Sequence, residues 1–268
     1  MKRTLVFVLI SMSVVLFLLA GCTGTKKDTS WEDVKKKGVF VLGLDDSFPP
    51  MGFRDENGQI VGFDIDVAKE ACKRLGIELK LQPINWDAKE QELNTKNIDC
   101  IWNGLTITPE RQKNILFTKP YMDNRQVIIV RANAGITSLS ALAGKTLGLQ
   151  AGSSAKDALT SAPEFEASLG NVIEFDENMT ALMDLELGGL DAVLMDEIVA
   201  RYYIQQKAKD FVVLDEALAS EEYGIGFRKN DQALMEKFQN TLIAMAKDGT
   251  LAAISNKWFG EDITVINR

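Results

Sequence analysis

The sequence predicts an α/β protein of two Rossmann-like lobes joined by a two-strand hinge, and three observations carry that prediction. Short apolar runs alternate with stretches of helical periodicity twice over, at residues 39–101 and again at 145–196. This is the βαβαβ order of a parallel sheet with right-handed crossovers. Pieces of one half also have counterparts in the other: NIDCIWNG (97–104) beside GLDAVLMD (189–196), and VLGLDDS (41–47) beside TLGLQAGSS (146–154). The two spacings differ, 92 and 105 residues, so the reading is of related lobes and not of a strict repeat. Finally, the strand-like stretches 126–131 and 223–228 fit inside neither unit, and paired they would carry the chain out of the first lobe and back. The expected organisation is a first lobe of 31–125 plus 223–268 and a second of 126–222.

The N-terminus points to export. Lys2 and Arg3 precede an apolar run at 5–19 that is short for a bilayer span and ends in Leu19-Ala20-Gly21-Cys22. Residues 1–21 therefore read as a signal peptide resembling those cleaved before a lipid-modified cysteine, the alternative being an uncleaved anchor helix. Cys22 would carry acyl chains that hold the protein on the membrane, with 22–30 as a polar tether. Removing Lys2 and Arg3 takes the formal charge from −8 to −10, because residues 1–21 hold no acid. An acidic chain without a basic stripe argues against nucleic acid. There is no histidine, which excludes His-based metal sites and His-assisted nucleophiles; neither a metal nor a cofactor is expected. Cys72 and Cys100 read as two buried thiols, too few for a disulfide scaffold.

In order, a helix is expected at 31–37, capped by Ser30 and ended by Gly38. A buried strand follows at 39–44 and runs into a loop, Asp45 to Pro50, that cannot continue the sheet. A hairpin at 53–61 turns at Glu56-Asn57-Gly58. Ile65, Ala68, Ala71, Cys72 and Leu75 recur at helical spacing up to Gly76. Then come a strand at 78–81, a loop carrying Trp86, a helix at 87–95 and a strand at 100–102. The second half predicts strands at 145–150, 172–175 and 192–196, with helices from 155 and over 179–187. Asn230 is expected to cap a helix over 231–247, and a last helix runs toward Trp258.

Residues 103–111 draw attention chemically. Thr108 stands where an N-cap belongs and Pro109 at the first helical position, so Arg111 falls in the first turn. A cation there opposes the helix dipole unless an anion lies between them, and a carboxylate fits the guanidinium fork. Pairing with Glu110 or another surface acid is the alternative. In parallel sheets ligands sit beyond the carboxyl ends of the strands, where the loop 45–48, Trp86 and the loop 103–111 all lie.

The segments GFDIDVAKEACKRLG, NIDCIWNGLTITPERQKNILFTKPY, GKTLGLQAGSS, LDAVLMDE, YGIGFRKND and KWFG, in this order over about residues 31–260, resemble the polar-amino-acid family of solute-binding proteins serving ABC transporters. The resemblance implies a type II periplasmic-binding-protein fold closing around one free L-amino acid. It implies that Arg111 takes the ligand α-carboxylate, with backbone N–H groups of Thr106 and Ser154, the latter in the Ser153-Ser154 turn. The Gly104 carbonyl, the Thr106 hydroxyl and Asp196 would take the α-ammonium. Phe48 and Trp86 match positions whose aromatics flank the side chain, while Asp45, Asn103 and Gln150 would line its far end. Two departures stand out. A disulfide found in some relatives, whose first cysteine matches Cys72, is absent because Leu79 occupies the partner position. Asn103-Gly104 also replaces a pair of serines.

The expected function is an extracytoplasmic, monomeric, non-enzymatic carrier handing a polar amino acid to an ABC permease. Arginine, lysine or ornithine are favoured because Asp45 offers a carboxylate, with glutamine next and cystine third. Two rivals are a cyclohexadienyl-dehydratase-like enzyme on the same scaffold and a ligand-sensing module.

Overall fold

The computed structural model describes residues 27–207 and 210–266, so the expected signal peptide and Cys22 lie outside it. Helix Ser30–Lys37 leads into β1 (Val39–Leu44), and a small antiparallel sheet follows: β2 (Ser47–Phe48), β3 (Gly52–Arg54) and β4 (Ile60–Val61). After helix Phe63–Leu75, β5 (Glu78–Pro83) runs parallel to β1 along one side and β6 (Cys100–Ile101) along the other. β7 (Ile115–Phe117) is the outer strand of this first sheet. β8 (Met122–Arg131) then crosses to the second lobe, where β9 (Thr146–Gln150), β10 (Asn171–Phe175) and β11 (Ala192–Asp196) alternate with helices. β12 (Phe211–Tyr223) returns, and β13 (Gly226–Arg228) inserts between β6 and β7.

The sheet orders are β5-β1-β6-β13-β7 and β10-β9-β11-β8-β12. The segments that look alike in sequence thus occupy like places, β1 with β9 and β6 with β11. Each sheet is parallel in three strands only: β13 is antiparallel to both neighbours, and β8 to β11 and β12. The reason is directional, since strands reached through the hinge arrive without a crossover helix and so run against the rest.

The hinge itself lies elsewhere than expected. Residues 126–131 do not pair with 223–228. β8 pairs with β12 along almost its whole length, with Met122 opposite Tyr223, Asn124 opposite Glu221 and Gln126 opposite Ala219. Tyr223 closes β12, and Gly226–Arg228 belongs to the first sheet. β12 escapes a periodicity reading because it is an edge strand with mixed exposure and several acids.

The C-terminal helices pack back on the first lobe. Phe238 of helix Gln232–Lys247 stacks on Phe40 with ring centroids 4.2 Å apart and meets Trp102 edge-on. Asn230 does not cap this helix. The side chains of Asp28 and Ser30 do so, accepting the N–H groups of Ala233 and Leu234 at 2.6 and 3.0 Å. Ser30 is accordingly not the cap of its own helix; Thr29 holds that place. Cys72 and Cys100 are free buried thiols, and burial pushes Cys72 up to about 12.

Candidate ligand-binding site between the lobes

The Thr108 hydroxyl accepts the Arg111 N–H at 3.1 Å, the bond an N-cap makes, but the regular helix spans only Arg111–Asn114. A single turn offers little dipole, so what distinguishes Arg111 is burial. Its side chain donates to the Thr106 carbonyl at 2.9 Å and to the Gly152 carbonyl, across the lobes, at 3.1 Å. Glu110 pairs with Lys113 instead, and among the described residues no carboxylate lies within ion-pair distance of Arg111. Lys89 joins it: buried, set 5.2 Å over the Trp86 ring, and donating to the Trp86 and Gly152 carbonyls at 3.1 and 2.7 Å. Burial, aided by the Arg111 charge, lowers the Lys89 ammonium to about 8. Two buried cations therefore converge on one carbonyl. Gly152 has φ +66°, and a Cβ there would meet Asp87 at 2.8 Å, so only glycine lets the second lobe come this close.

On the other side of Thr106, toward the hinge strands, the chemistry reverses. Asp196, at the end of β11, accepts from Tyr223 Oη at 2.6 Å and Asn124 Nδ2 at 2.7 Å. The same Asn124 Nδ2 donates to Glu221 Oε2 at 3.0 Å, which also receives Gln126 Nε2 at 3.0 Å and Thr106 Oγ1 at 3.1 Å. Thr106 Oγ1 lies 3.0 Å from Ser154 Oγ, another contact between lobes. Burial first, and the Glu221 charge second, push the Asp196 carboxyl up from its usual range.

At the third corner Asp45 Oδ2 accepts Gln150 Nε2 at 2.7 Å across the lobes, while Oδ1 takes the Ser47 N–H and hydroxyl. Asn103 Oδ1 accepts the Asp45 N–H at 3.2 Å, and Gln150 Oε1 accepts Asn178 Nδ2 at 2.9 Å. Ser153 is close by, but its hydroxyl is engaged in its own turn with the Gln150 carbonyl. Phe48 and Trp86 are both buried. Gly104, at φ +57°, would put a Cβ 2.8 Å from Phe48 Cε1, so a side chain there would have to displace that ring.

Beneath the 103–106 loop lies Asp64, fully buried, whose Oδ2 accepts the Gly104 N–H at 2.8 Å and Tyr121 Oη at 2.9 Å. Burial raises its carboxyl to about 7. The unfolded carboxyl titrates near 4, so the folded state holds the extra proton between about pH 4 and 7. Stability contributed here is full below pH 4 and is lost as pH rises through 7. Asp64→Asn keeps an acceptor for Gly104 and removes the charge. Urea melts at pH 5 and 8 should show a smaller pH difference for the variant than for wild type; equal differences would remove Asp64 as the source.

The family model of bacterial extracellular solute-binding proteins, family 3, matches residues 40–261. The chain belongs to that family. It is 33% identical to the L-cystine-binding protein TcyJ of Escherichia coli (strain K12) over 233 residues, 86% of each chain. It is 30% identical to the arginine-binding extracellular protein ArtP of Bacillus subtilis (strain 168), covering 97% of this chain and 98% of that one. Among solved structures, an ABC uptake transporter substrate-binding protein from Streptococcus pneumoniae with bound histidine superposes with a TM-score of 0.87 at 36% identity, covering 90% of this chain and all of that one. The fold of this solute-binding protein is thus the type II periplasmic-binding-protein fold.

The structure joins Asp45, Asn103 and Gln150 in one hydrogen-bonded group and links Thr106, Arg111, Ser154 and Asp196 through Glu221 and Asn124 in another; Gly104 bonds to Asp64, and Phe48 and Trp86 are buried while Ser153 bonds within its own turn. It adds Asp64, Lys89, Asn124, Gln126, Asn178, Glu221 and Tyr223, none of which the sequence reading singled out. For two of these a signal existed. Met122, Asn124 and Gln126 fall on the buried phase of an alternating strand, where a polar residue is out of place unless it has something to bind.

Proposed function

We propose that this protein captures a free L-amino acid outside the cytoplasm, holds it without transforming it, and presents it to an ABC permease. The observation that carries the reading is the pair of opposite, unmet charges in the cleft. Among the described residues, Arg111 is a buried cation with no carboxylate paired to it, and Asp196 a buried carboxylate with no cation paired to it. A zwitterionic α-amino acid supplies both, its carboxylate to Arg111 and its ammonium to Asp196, Thr106 Oγ1 and the Gly104 carbonyl. Phe48 and Trp86 would flank its side chain, and Asp45, Asn103 and Gln150 would meet the far end, with a cationic group preferred. Relatives named for cystine and arginine binding agree with the class of ligand. Micromolar affinity needs about 8 kcal/mol net, and charge-assisted hydrogen bonds contribute about 1.5–3 kcal/mol each.

Melting in the presence of the twenty amino acids, ornithine and cystine tests this. A ligand at a hundredfold over Kd adds about 2.7 kcal/mol, a shift of roughly 5–10 °C for lobes of this size. No shift with any of them would overturn the reading. The same reading places the protein on the outer face of the membrane through acylated Cys22. Cys22→Ser should move it to the soluble fraction, and unchanged partitioning would refute the anchor.

A further inference from the structure

We propose that Glu221, on the hinge strand, is a second carboxylate for the ligand ammonium, so that the site reads a primary ammonium through two acids. The inference rests on the amino-acid-binding reading above. Its starting point is a shortage of donors. Asp196 and Glu221 share one amide hydrogen-bonding group, Asn124 Nδ2. Beside them Asn124 Oδ1 and Gln126 Oε1 are buried with no partner of their own, on residues that are 7% and 0% exposed. Two carboxylates and two amide oxygens thus face a region served by Tyr223 Oη, Thr106 Oγ1 and two amide NH2 groups. Arg111, the buried cation bonded to Thr106, donates to the Thr106 and Gly152 carbonyls and to neither acid, and Arg125 between the two amides pairs with Glu197.

An acceptor-rich group of this kind, buried at Asp196, Asn124 and Gln126 and half-buried at Glu221, lacks a compact cation with several N–H bonds, and an –NH3+ group offers three. Glu221 reaches the same Thr106 hydroxyl that the ammonium is proposed to use, which brings its half-buried carboxylate to that subsite. Its position has a mechanical consequence. Asn124, Gln126 and Glu221 all lie on the paired hinge strands, whereas Thr106 belongs to the first lobe. An ammonium bound between them ties the first lobe to the hinge itself.

A residue that only braces the hinge and one that binds the ligand behave differently when the charge alone is removed. In Glu221→Gln the like-charge contact with Asp196 disappears, so the ligand-free variant should melt at or above the wild-type temperature. Affinity for L-arginine, measured by titration calorimetry, should fall by about 10- to 100-fold, the range for losing a hydrogen bond to a charged group. Glu221→Asp should recover part of that loss. 5-Guanidinopentanoate, which is arginine without its α-amino group, should bind wild type and Glu221→Gln equally weakly. L-cystine and L-histidine serve as probes in the same series if L-arginine does not bind. Wild type that binds none of these amino acids overturns the amino-acid reading as a whole. Wild type that binds while Glu221→Gln binds as tightly overturns the role of Glu221 alone, as would a variant that melts lower and binds normally.

Discussion

Arg111→Ala should eliminate measurable amino-acid binding while leaving the protein folded, and Arg111→Lys should rescue little of it. Arg111 is only 6% exposed and makes two bonds to carbonyls, one in each lobe, and no acid among the described residues forms an ion pair with it. Burying an ion so weakly compensated costs free energy in the empty protein, so its removal need not destabilise the fold. A ligand carboxylate in its place would gain two charge-assisted bonds in fork geometry, together about 3–6 kcal/mol, or a factor of roughly 10²–10⁴ in Kd. Lysine cannot reproduce the fork, and a second ammonium beside Lys89 would meet the same repulsion and burial that already lower Lys89. Calorimetric titration with the best ligand, alongside circular dichroism to establish folding, decides it. Affinity within threefold of wild type in a folded Arg111→Ala protein would move the carboxylate subsite elsewhere.

Much of this arrangement was legible because the relevant signals are local. A strand that ends in Asp-Asp-Ser or Gln-Ala-Gly-Ser-Ser, and a Thr-Pro-Glu-Arg turn, advertise themselves within a few residues. What was not legible depends on register. Glu221 faces Asn124 only because β12 pairs with β8 from Tyr223 opposite Met122 onward, and no short window of sequence states that pairing. The helix beginning at Gln232 was read as capped from its own flank, yet its caps come from Asp28 and Ser30, some two hundred residues upstream. Lys89 falls within the helix expected at 87–95, and nothing in that stretch marks it as buried. It is buried because Gly152, from the other lobe, covers it. The fold class follows from periodicity, whereas these side chains acquire their roles through contacts between lobes or between the ends of the chain.

Asp45 should decide which amino acid is preferred. Asp45 is 6% exposed, bonded across the lobes to Gln150, and no basic side chain among the described residues pairs with it. The neighbouring Asp46 is paired with Arg54, and Glu177 is held above its ordinary range by burial and by the charges of Asp45 and Asp46. An incoming guanidinium or ammonium would find this corner negative and already desolvated, and its bond to Asp45 would replace or share the one from Gln150. L-arginine or L-lysine should therefore raise the melting temperature of wild type more than L-glutamine does. In Asp45→Asn the charge goes but an acceptor remains, so arginine should lose about 10- to 100-fold in affinity, a charged hydrogen bond becoming a neutral one. Glutamine, whose amide can still pair with the new amide, should change by less than about threefold. The Gln150 amide must turn in the variant, because its NH2 group would otherwise oppose another donor. Asn178 would lose its acceptor when it does, so a modest loss for every ligand is expected and only the difference between arginine and glutamine is diagnostic. If glutamine shifts wild type most and the cationic amino acids are silent, the cationic preference is wrong. If arginine wins yet ignores the substitution, the preference stands but Asp45 is not its source.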